Sequence, residues 1–108
     1  MALEIVWTAG AERDLLEIHQ QLLDALEEDP ALAARVLEKP LESSLELIRE
    51  YPAIAPKIRG SQRLRRALFG PGNHYGLFYS VENRGIIIHA LLDLKQNPAW
   101  IRKRLQNL

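Results

Sequence analysis

The sequence predicts an α+β fold in which a helical hairpin packs on a small, mainly antiparallel sheet and a short helix follows. Three observations support this prediction: apolar residues recur at helical spacing through the first half of the chain, they alternate with polar residues through much of the second half, and a strand-like segment precedes both. The predicted order is β-α-α-β-β-β-α. Residues 1–108 suffice for a single domain with its own core.

The first predicted strand, Leu3–Trp7, is rich in β-branched and aromatic residues. Thr8 is suited to cap the next helix, because its hydroxyl can accept a hydrogen bond from an unpaired backbone N–H. That helix is predicted from Ala9 to Glu27, where apolar residues recur at intervals of three and four.

The second helix is predicted to begin at Asp29-Pro30, a capping residue followed by a first-turn proline, and to end at Tyr51-Pro52. Pro40 removes one backbone hydrogen bond and crowds the preceding turn. Because the apolar period continues past it, we expect a kink near Val36–Pro40 and not two separate helices. The kink is either a tolerated local feature or part of a partner groove.

A loop over residues 52–62 is predicted to lead into three strands and a final helix. Their predicted bounds are Leu64–Phe69, His74–Glu82 and Ile86–Leu92 for the strands, and Ala99–Leu105 for the helix, which Asn97-Pro98 would cap. Gly70–Asn73 and Asn83–Gly85 are predicted turns, with Gly85 able to take a positive φ. Ile86–Leu92 is almost continuously apolar, which indicates a central strand buried on both faces.

The net charge of zero conceals a strong asymmetry along the chain. Residues 1–54 contain 12 Asp and Glu against 4 Lys and Arg, whereas residues 55–108 contain 2 against 10. A fold that separates these halves presents one acidic surface and one basic surface. The basic surface needs an anionic partner, for which nucleic acid and an acidic protein segment are the candidates.

Composition excludes several classes of site. The chain contains no Cys, so it has neither a disulfide framework nor a thiolate zinc site, and His19, His74 and His89 do not have metal-ligand spacing. We therefore expect no metal and no cofactor. The first residues do not resemble a signal peptide, and no apolar stretch approaches the ~18 residues of a membrane span. We expect a cytoplasmic protein with no membrane partner.

Six segments of the chain stand out in order: Trp7-Thr8 with Ala11–Leu15, Tyr51-Pro52, Ile58–Gly60, Arg65-Arg66, Tyr75–Val81 and Ile87–Pro98. Together they resemble the RelE/ParE superfamily of bacterial toxins. The resemblance covers nearly the whole chain. It implies the toxin of a type II toxin–antitoxin, or plasmid stabilisation, module that arrests growth and is neutralised by a cognate antitoxin.

The resemblance leaves the target open between two branches. ParE-like toxins inhibit DNA gyrase and are not hydrolases, whereas RelE-like toxins cleave mRNA on the ribosome without a metal. In the RelE-like branch, basic residues before the central strand and after the last strand act together with a C-terminal aromatic residue. A third possibility is a non-toxic relic that only binds its antitoxin.

The residues favour the ParE-like branch. Lys95 follows the last strand and matches one basic position, but Gly70–His74 contains no Arg, and neither Trp100 nor Ile101 ionises near pH 7. His74 is a substitute general base only if the chain is a ribonuclease, and an exposed histidine at a strand start is the simpler interpretation. Lys95 and His74 are therefore catalytic candidates only under the ribonuclease alternative.

Ten residues are predicted to bind the antitoxin or the target. Leu16, Leu23 and Leu26 widen the apolar stripe of the first helix beyond one core, which suits a partner helix. The basic candidates are Arg59, Arg65, Arg66, Lys95, Arg102, Lys103 and Arg104. Strand alternation places Arg65 and Arg66 on opposite faces. Two further residues have structural interpretations: His89 as a satisfied core histidine and Trp100 as the core anchor of the last helix.

Overall fold

A computed structural model describes residues 3–83 and 85–108. The strands are β1 (Glu4–Trp7), β2 (Arg65–Phe69), β3 (Tyr75–Glu82) and β4 (Gly85–Asp93). The helices are α1 (Ala9–Ala25), α2 (residues 30–50) and α3 (Pro98–Gln106), and one 3₁₀ turn, Pro71–Asn73, joins β2 to β3. This order confirms the predicted β-α-α-β-β-β-α fold, with strand and helix ends within a few residues of those predicted.

The four strands form one sheet in the order β1-β4-β3-β2. The β1–β4 pair is parallel, and the other two pairs are antiparallel. As predicted, β4 lies in the interior of the sheet. Its side chains are buried on both faces, because Ile86, Ile88 and Leu91 face the helical hairpin while Ala90 and Leu92 face the other side.

The helical hairpin, α1 and α2, packs on one face of the sheet and forms the main core. Ala11 and Ile18 of α1 and Leu37 and Ile48 of α2 are buried against apolar residues of β3 and β4. The helices thereby remove their apolar stripes from water, and their charged residues remain on the outer side.

A second, smaller core lies on the opposite face of the sheet, beneath α3. Its buried members are Phe78, Ala90 and Leu92. The partly buried residues packed against them are Ile58 from the loop before β2 and Leu94, Ile101, Leu105 and Leu108 at the end of the chain. The chain therefore places helices on both faces of its sheet.

Three predicted helix caps are present. The Thr8 hydroxyl accepts a hydrogen bond from Ala11 N–H at 3.1 Å, the Asp29 carboxylate one from Leu32 N–H at 3.1 Å, and the Asn97 side-chain oxygen one from Ala99 N–H at 2.8 Å. Each satisfies a donor that the first turn of a helix leaves unpaired.

Pro40 is accommodated inside one continuous helix, as predicted. Helix α2 consists of an α-helical turn, Pro30–Ala33, a π-helical segment, Ala34–Glu38, and a longer α-helix, Lys39–Glu50. The Lys39 N–H donates to the Ala34 carbonyl, five residues back. The wider turn relieves the crowding that a proline ring causes against the carbonyl four residues before it.

Two turns bring the strands into register. Gly70 has a φ of +82°, and a Cβ there would lie 2.9 Å from the ring of the buried Tyr75, so this position needs glycine. In the β3–β4 turn, Asn83 has a φ of +52°; the middle residue of that predicted turn, Arg84, lies outside the described residues. Within residues 3–83 and 85–108, no helix is long and apolar enough to cross a membrane.

Candidate functional site

The fold places much of the basic half of the sequence on one face of the sheet. Five exposed cations lie on the loop before β2, on β2 itself and on α3; we call Arg59, Arg63, Arg66, Arg102 and Lys103 the basic face. The hairpin on the other side carries most of the acidic residues. The predicted separation of charge is thus achieved by placing the elements on opposite sides of the sheet.

The loop before β2 is held in a defined conformation. Ile58 N–H donates to the Leu64 carbonyl at 2.9 Å, and the Ser61 hydroxyl accepts hydrogen bonds from the N–H groups of Arg63 and Leu64. The Ile58 side chain packs into the second core. These contacts fix the position of Arg59 and Arg63, which the loop carries.

Arg65 and Arg66 have different surroundings, as strand alternation predicted. Arg65 is half-buried, and one of its guanidinium nitrogens donates to the carbonyls of Ala53 and Ala55 at 3.2 and 2.7 Å. Arg66 is exposed and lies opposite Phe78 in the β2–β3 register, so it points to the face that carries α3. Arg65 therefore holds the segment after α2, whereas Arg66 belongs to the basic face.

His89 occupies a β-bulge in the middle of the sheet. Phe78 pairs with Ala90 and Tyr79 pairs with Ile88, so His89 is the extra residue. Its Nε2 lies 2.8 Å from the Ser80 hydroxyl and 3.2 Å from an Arg63 nitrogen. One ring nitrogen of His89 thus contacts both a hydroxyl and a guanidinium.

The environment of His89 favours the neutral form of its ring. Burial lowers the pKa of His89, the Arg63 guanidinium lowers it further, and the Glu82 carboxylate opposes both. Glu82 also accepts a hydrogen bond from the Ser80 hydroxyl at 2.9 Å, and Ser80 is fully buried. The prediction of a satisfied histidine is confirmed, and the inaccessible hydroxyl of Ser80 is not placed to act as a nucleophile.

Arg104 does not share the exposure of its neighbours on α3. Its guanidinium donates to the Asp14 carboxylate of α1 at 2.8 Å, and the same carboxylate oxygen accepts a hydrogen bond from Leu91 N–H at 3.1 Å. The Arg104 side chain is 22% exposed, whereas Arg102 and Lys103 are exposed residues. The structure thus assigns Arg104 an internal contact that joins α1, α3 and β4.

Trp100 was predicted to anchor α3 in the core, and that prediction is wrong. The side chain is 47% exposed, and Ile101 and Leu105 face the second core in its place. The indole borders an open groove of about 470 Å³ between α1 and β4, whose carboxylates belong to Asp14, Glu17 and Asp93. Helical spacing points one side of α3 inward, and Trp100 lies off that side.

The two ribonuclease candidates lie beside Asp93. His74 Nε2 is 2.8 Å from the Asp93 carboxylate, and the backbone N–H of Lys95 donates to the same carboxylate oxygen at 2.9 Å. Lys95 is exposed on the turn after β4. Asp93 therefore fixes this turn and orients the imidazole through Nε2, which leaves the other ring nitrogen, Nδ1, as the one that a general base would use. Among the described residues there is no group of three potential metal ligands.

The predicted apolar residues of α1 differ in how far they are exposed. Leu16 is 69% exposed, whereas Leu23 and Leu26 are half-buried. A second apolar surface, which sequence analysis missed, is a groove of about 260 Å³ between α2 and β2 that is lined in part by Leu47 and Ile54. These side chains are 45% and 53% exposed. Leu47 directly precedes the buried Ile48 in α2. It stays exposed because the sheet ends at β2 and no further strand covers it.

The groove ends at an edge strand. β2 is the last strand of the sheet, and its outer side is paired near its start, where Arg66 N–H donates to the Pro56 carbonyl at 3.0 Å. Leu68 lies two residues further along, so its N–H points to the same outer side. An apolar groove beside such a strand suits an extended or helical protein segment.

Comparisons with known proteins agree with this fold. The profile of the family described as "ParE toxin of type II toxin-antitoxin system, parDE" matches residues 5–98. A solved chain described as "Chromosomal ParDE TA system from P. aeruginosa" is similar over 83% of this chain and 94% of its own length, with a TM-score of 0.67 and 15% sequence identity. That likeness shows a shared fold. No curated protein matches the chain.

Proposed function

This chain belongs to the ParE toxin family of type II toxin–antitoxin systems, and from that membership we propose that it inhibits DNA gyrase and is neutralised by a cognate antitoxin in the cytoplasm. The match over residues 5–98 is the observation that carries the proposal. It includes the sheet from Ile5 onward and both helices of the hairpin, and it ends at Pro98, the first residue of α3.

The surroundings of the ribonuclease candidates support gyrase over messenger RNA as the target. Metal-free RNA cleavage needs a general base, cations around the phosphorane and an acid for the leaving oxygen. The segment Gly70–His74 has no Arg to stabilise a phosphorane, and Trp100 does not ionise near pH 7, so two of these roles lack a suitable side chain. Lys95 alone is a candidate for stabilising a phosphorane.

We expect the purified chain to inhibit gyrase supercoiling and to leave ribosome-bound messenger RNA intact. Lys95→Ala should retain gyrase inhibition, since Lys95 is a single exposed member of a ten-residue set of predicted contacts and its loss removes only one of them. A ribonuclease that used Lys95 would lose about 10²–10³ in rate on the same substitution. Supercoiling and primer-extension assays on the same preparations separate the two functions.

The control for these assays is the toxin saturated with its antitoxin, which should lose inhibition. Message cleavage that Lys95→Ala abolishes would overturn the gyrase proposal in favour of a RelE-like ribonuclease. Binding to the antitoxin without either activity would identify a non-toxic relic.

The antitoxin is proposed to cover the exposed apolar surfaces of the hairpin and the neighbouring sheet edge. Leu16 on α1 is 69% exposed, and Leu47 and Ile54 line the groove between α2 and β2. Burying such side chains supplies about 25 cal/mol for each Å² removed from water, which is the usual source of affinity for a docked segment. Leu23 and Leu26 contribute less, since each is already half-buried.

Leu47→Asp and Ile54→Asp should each weaken antitoxin binding by tenfold or more, about 1.4 kcal/mol, because a carboxylate would be desolvated in an apolar contact. Leu16→Asp tests the α1 surface in the same way. Val81→Asp is the matched control, since Val81 is 40% exposed and lies outside the groove. Titration calorimetry with the antitoxin measures the effect, and a uniform response of all four variants would contradict this placement.

A further inference from the structure

The basic face draws on two parts of the sequence that are far apart in the chain. Arg59 and Arg63 lie on the loop before β2, and Arg102 and Lys103 lie on α3. Ile58 from the loop and Ile101 from α3 pack against the same buried residues of the second core. The two backbone segments that carry these cations are therefore both anchored on the second core.

Of the two carboxylates in the second half, Glu82 lines a pocket together with Arg63 but forms no salt bridge with it. Glu82 and Asp93 are the only acidic residues between positions 55 and 108. Glu82 accepts a hydrogen bond from Ser80 at 2.9 Å, and Asp93 lies 2.8 Å from His74. Among the described residues, no salt bridge involves a member of the basic face.

The basic face differs in chemistry from the antitoxin surface, by which we mean the exposed apolar side chains of the hairpin and of the neighbouring sheet edge. The three most exposed large apolar side chains, Leu16, Tyr51 and Ile54, lie on the hairpin or directly after it. Four of the five cations of the basic face are arginines, whose planar guanidinium groups bind phosphate oxygens through two hydrogen bonds. A protein segment would gain its affinity on the apolar surface, whereas phosphates gain theirs from clustered cations.

We propose that the basic face binds the phosphodiester backbone of nucleic acid without sequence specificity, on the side of the sheet opposite the hairpin. This proposal does not depend on gyrase, since it concerns the chain alone. Non-specific binding through phosphate contacts has dissociation constants of roughly 10⁻⁴–10⁻⁶ M at physiological salt and weakens steeply as salt rises. The nucleic-acid surface would then lie apart from the antitoxin surface except at Arg66, which also lines the groove between α2 and β2.

The test compares two triple variants with the same net charge. Arg59→Gln/Arg102→Gln/Lys103→Gln removes three cations from the basic face, and the control Arg35→Gln/Lys39→Gln/Arg49→Gln removes three exposed cations from α2. Fluorescence anisotropy measures binding of a duplex DNA and of an RNA hairpin with equal numbers of phosphates, at several salt concentrations and without gyrase. Circular dichroism confirms that both variants are folded.

We expect the basic-face variant to lose at least tenfold in affinity at low salt, and its log–log salt dependence to become shallower by about 2 to 3, because each lost phosphate contact removes about 0.9 from the slope. The control should bind as the wild type does. Binding of either nucleic acid with this pattern supports the proposal. The one that binds more tightly identifies whether the backbone is that of DNA or of RNA.

Equal losses in both variants, or no binding at low salt, would overturn the proposal. Tighter binding of an acidic peptide of equal charge would also overturn it, in favour of an acidic protein partner. If the basic-face variant does not fold, amide chemical shifts of the wild-type chain decide the question. DNA should then shift signals of residues 57–64 and of α3, and perturbation confined to α1 and α2 would contradict the proposed face.

Discussion

Replacing Asp14 with Ala is expected to lower the free energy of unfolding by about 2–4 kcal/mol, because one carboxylate serves two partners. Asp14 accepts hydrogen bonds from the Arg104 guanidinium and from the Leu91 N–H of β4. Its side chain is 11% exposed. Without it, a backbone donor near the end of the sheet and a partly buried guanidinium both lose their acceptor.

Asp24→Ala on the same helix is the control, because Asp24 is exposed and should change stability by less than about 0.5 kcal/mol. Urea denaturation of both variants measures the difference. A loss at Asp14 no larger than the loss at Asp24 would show that the contact between α1, α3 and β4 contributes little to stability.

The Asp14 carboxylate is also expected to make the free energy of unfolding depend on pH. Burial raises the pKa of Asp14 above its usual value of 3.8, although the Leu91 N–H and Arg104 oppose the rise. The folded state therefore binds the proton more tightly than the unfolded state, and the contribution of Asp14 becomes more favourable as pH falls through the raised pKa towards 3.8. The stability of the wild type relative to Asp14→Asn should grow over that range; a decrease would mean that the ion pair outweighs burial.

Arg65→Ala is expected to lower the free energy of unfolding by about 1.5–3 kcal/mol, the usual contribution of hydrogen bonds from a charged donor. The guanidinium donates to the carbonyls of Ala53 and Ala55, and Ala55 is buried. The Tyr79 hydroxyl holds the same segment by donating to the Pro52 carbonyl at 2.7 Å. Without Arg65, the chain between α2 and β2 would keep only part of its attachment.

Arg66→Ala is the matched control, since the neighbouring side chain is exposed and should change stability by less than about 0.5 kcal/mol. Chemical denaturation of the two variants separates the structural role from a binding role. A stable Arg65→Ala variant that nevertheless failed to bind its partner would return Arg65 to the binding surface predicted from sequence.

Local signals predicted the secondary structure well. The caps at Thr8, Asp29 and Asn97 depend on a side chain and a backbone N–H two or three residues away, so neighbouring residues contain the whole interaction. The continuous apolar run of β4 likewise predicted its central position, because only a strand buried on both faces can keep such a run from water. The proline in α2 predicted a local irregularity for the same reason.

For the functional residues, the sequence and the tertiary structure each determined a part. Sequence alone determined the family resemblance, the charge asymmetry and the placement of Arg65 and Arg66 on opposite faces, all of which follow from order, composition and periodicity. Only the tertiary structure decided that Arg65 and Arg104 bind groups of their own chain, that Trp100 stays partly exposed, and that α2 and β2 leave an apolar groove. Those outcomes depend on contacts between residues distant in sequence, such as the 90 positions between Asp14 and Arg104, which no local pattern encodes.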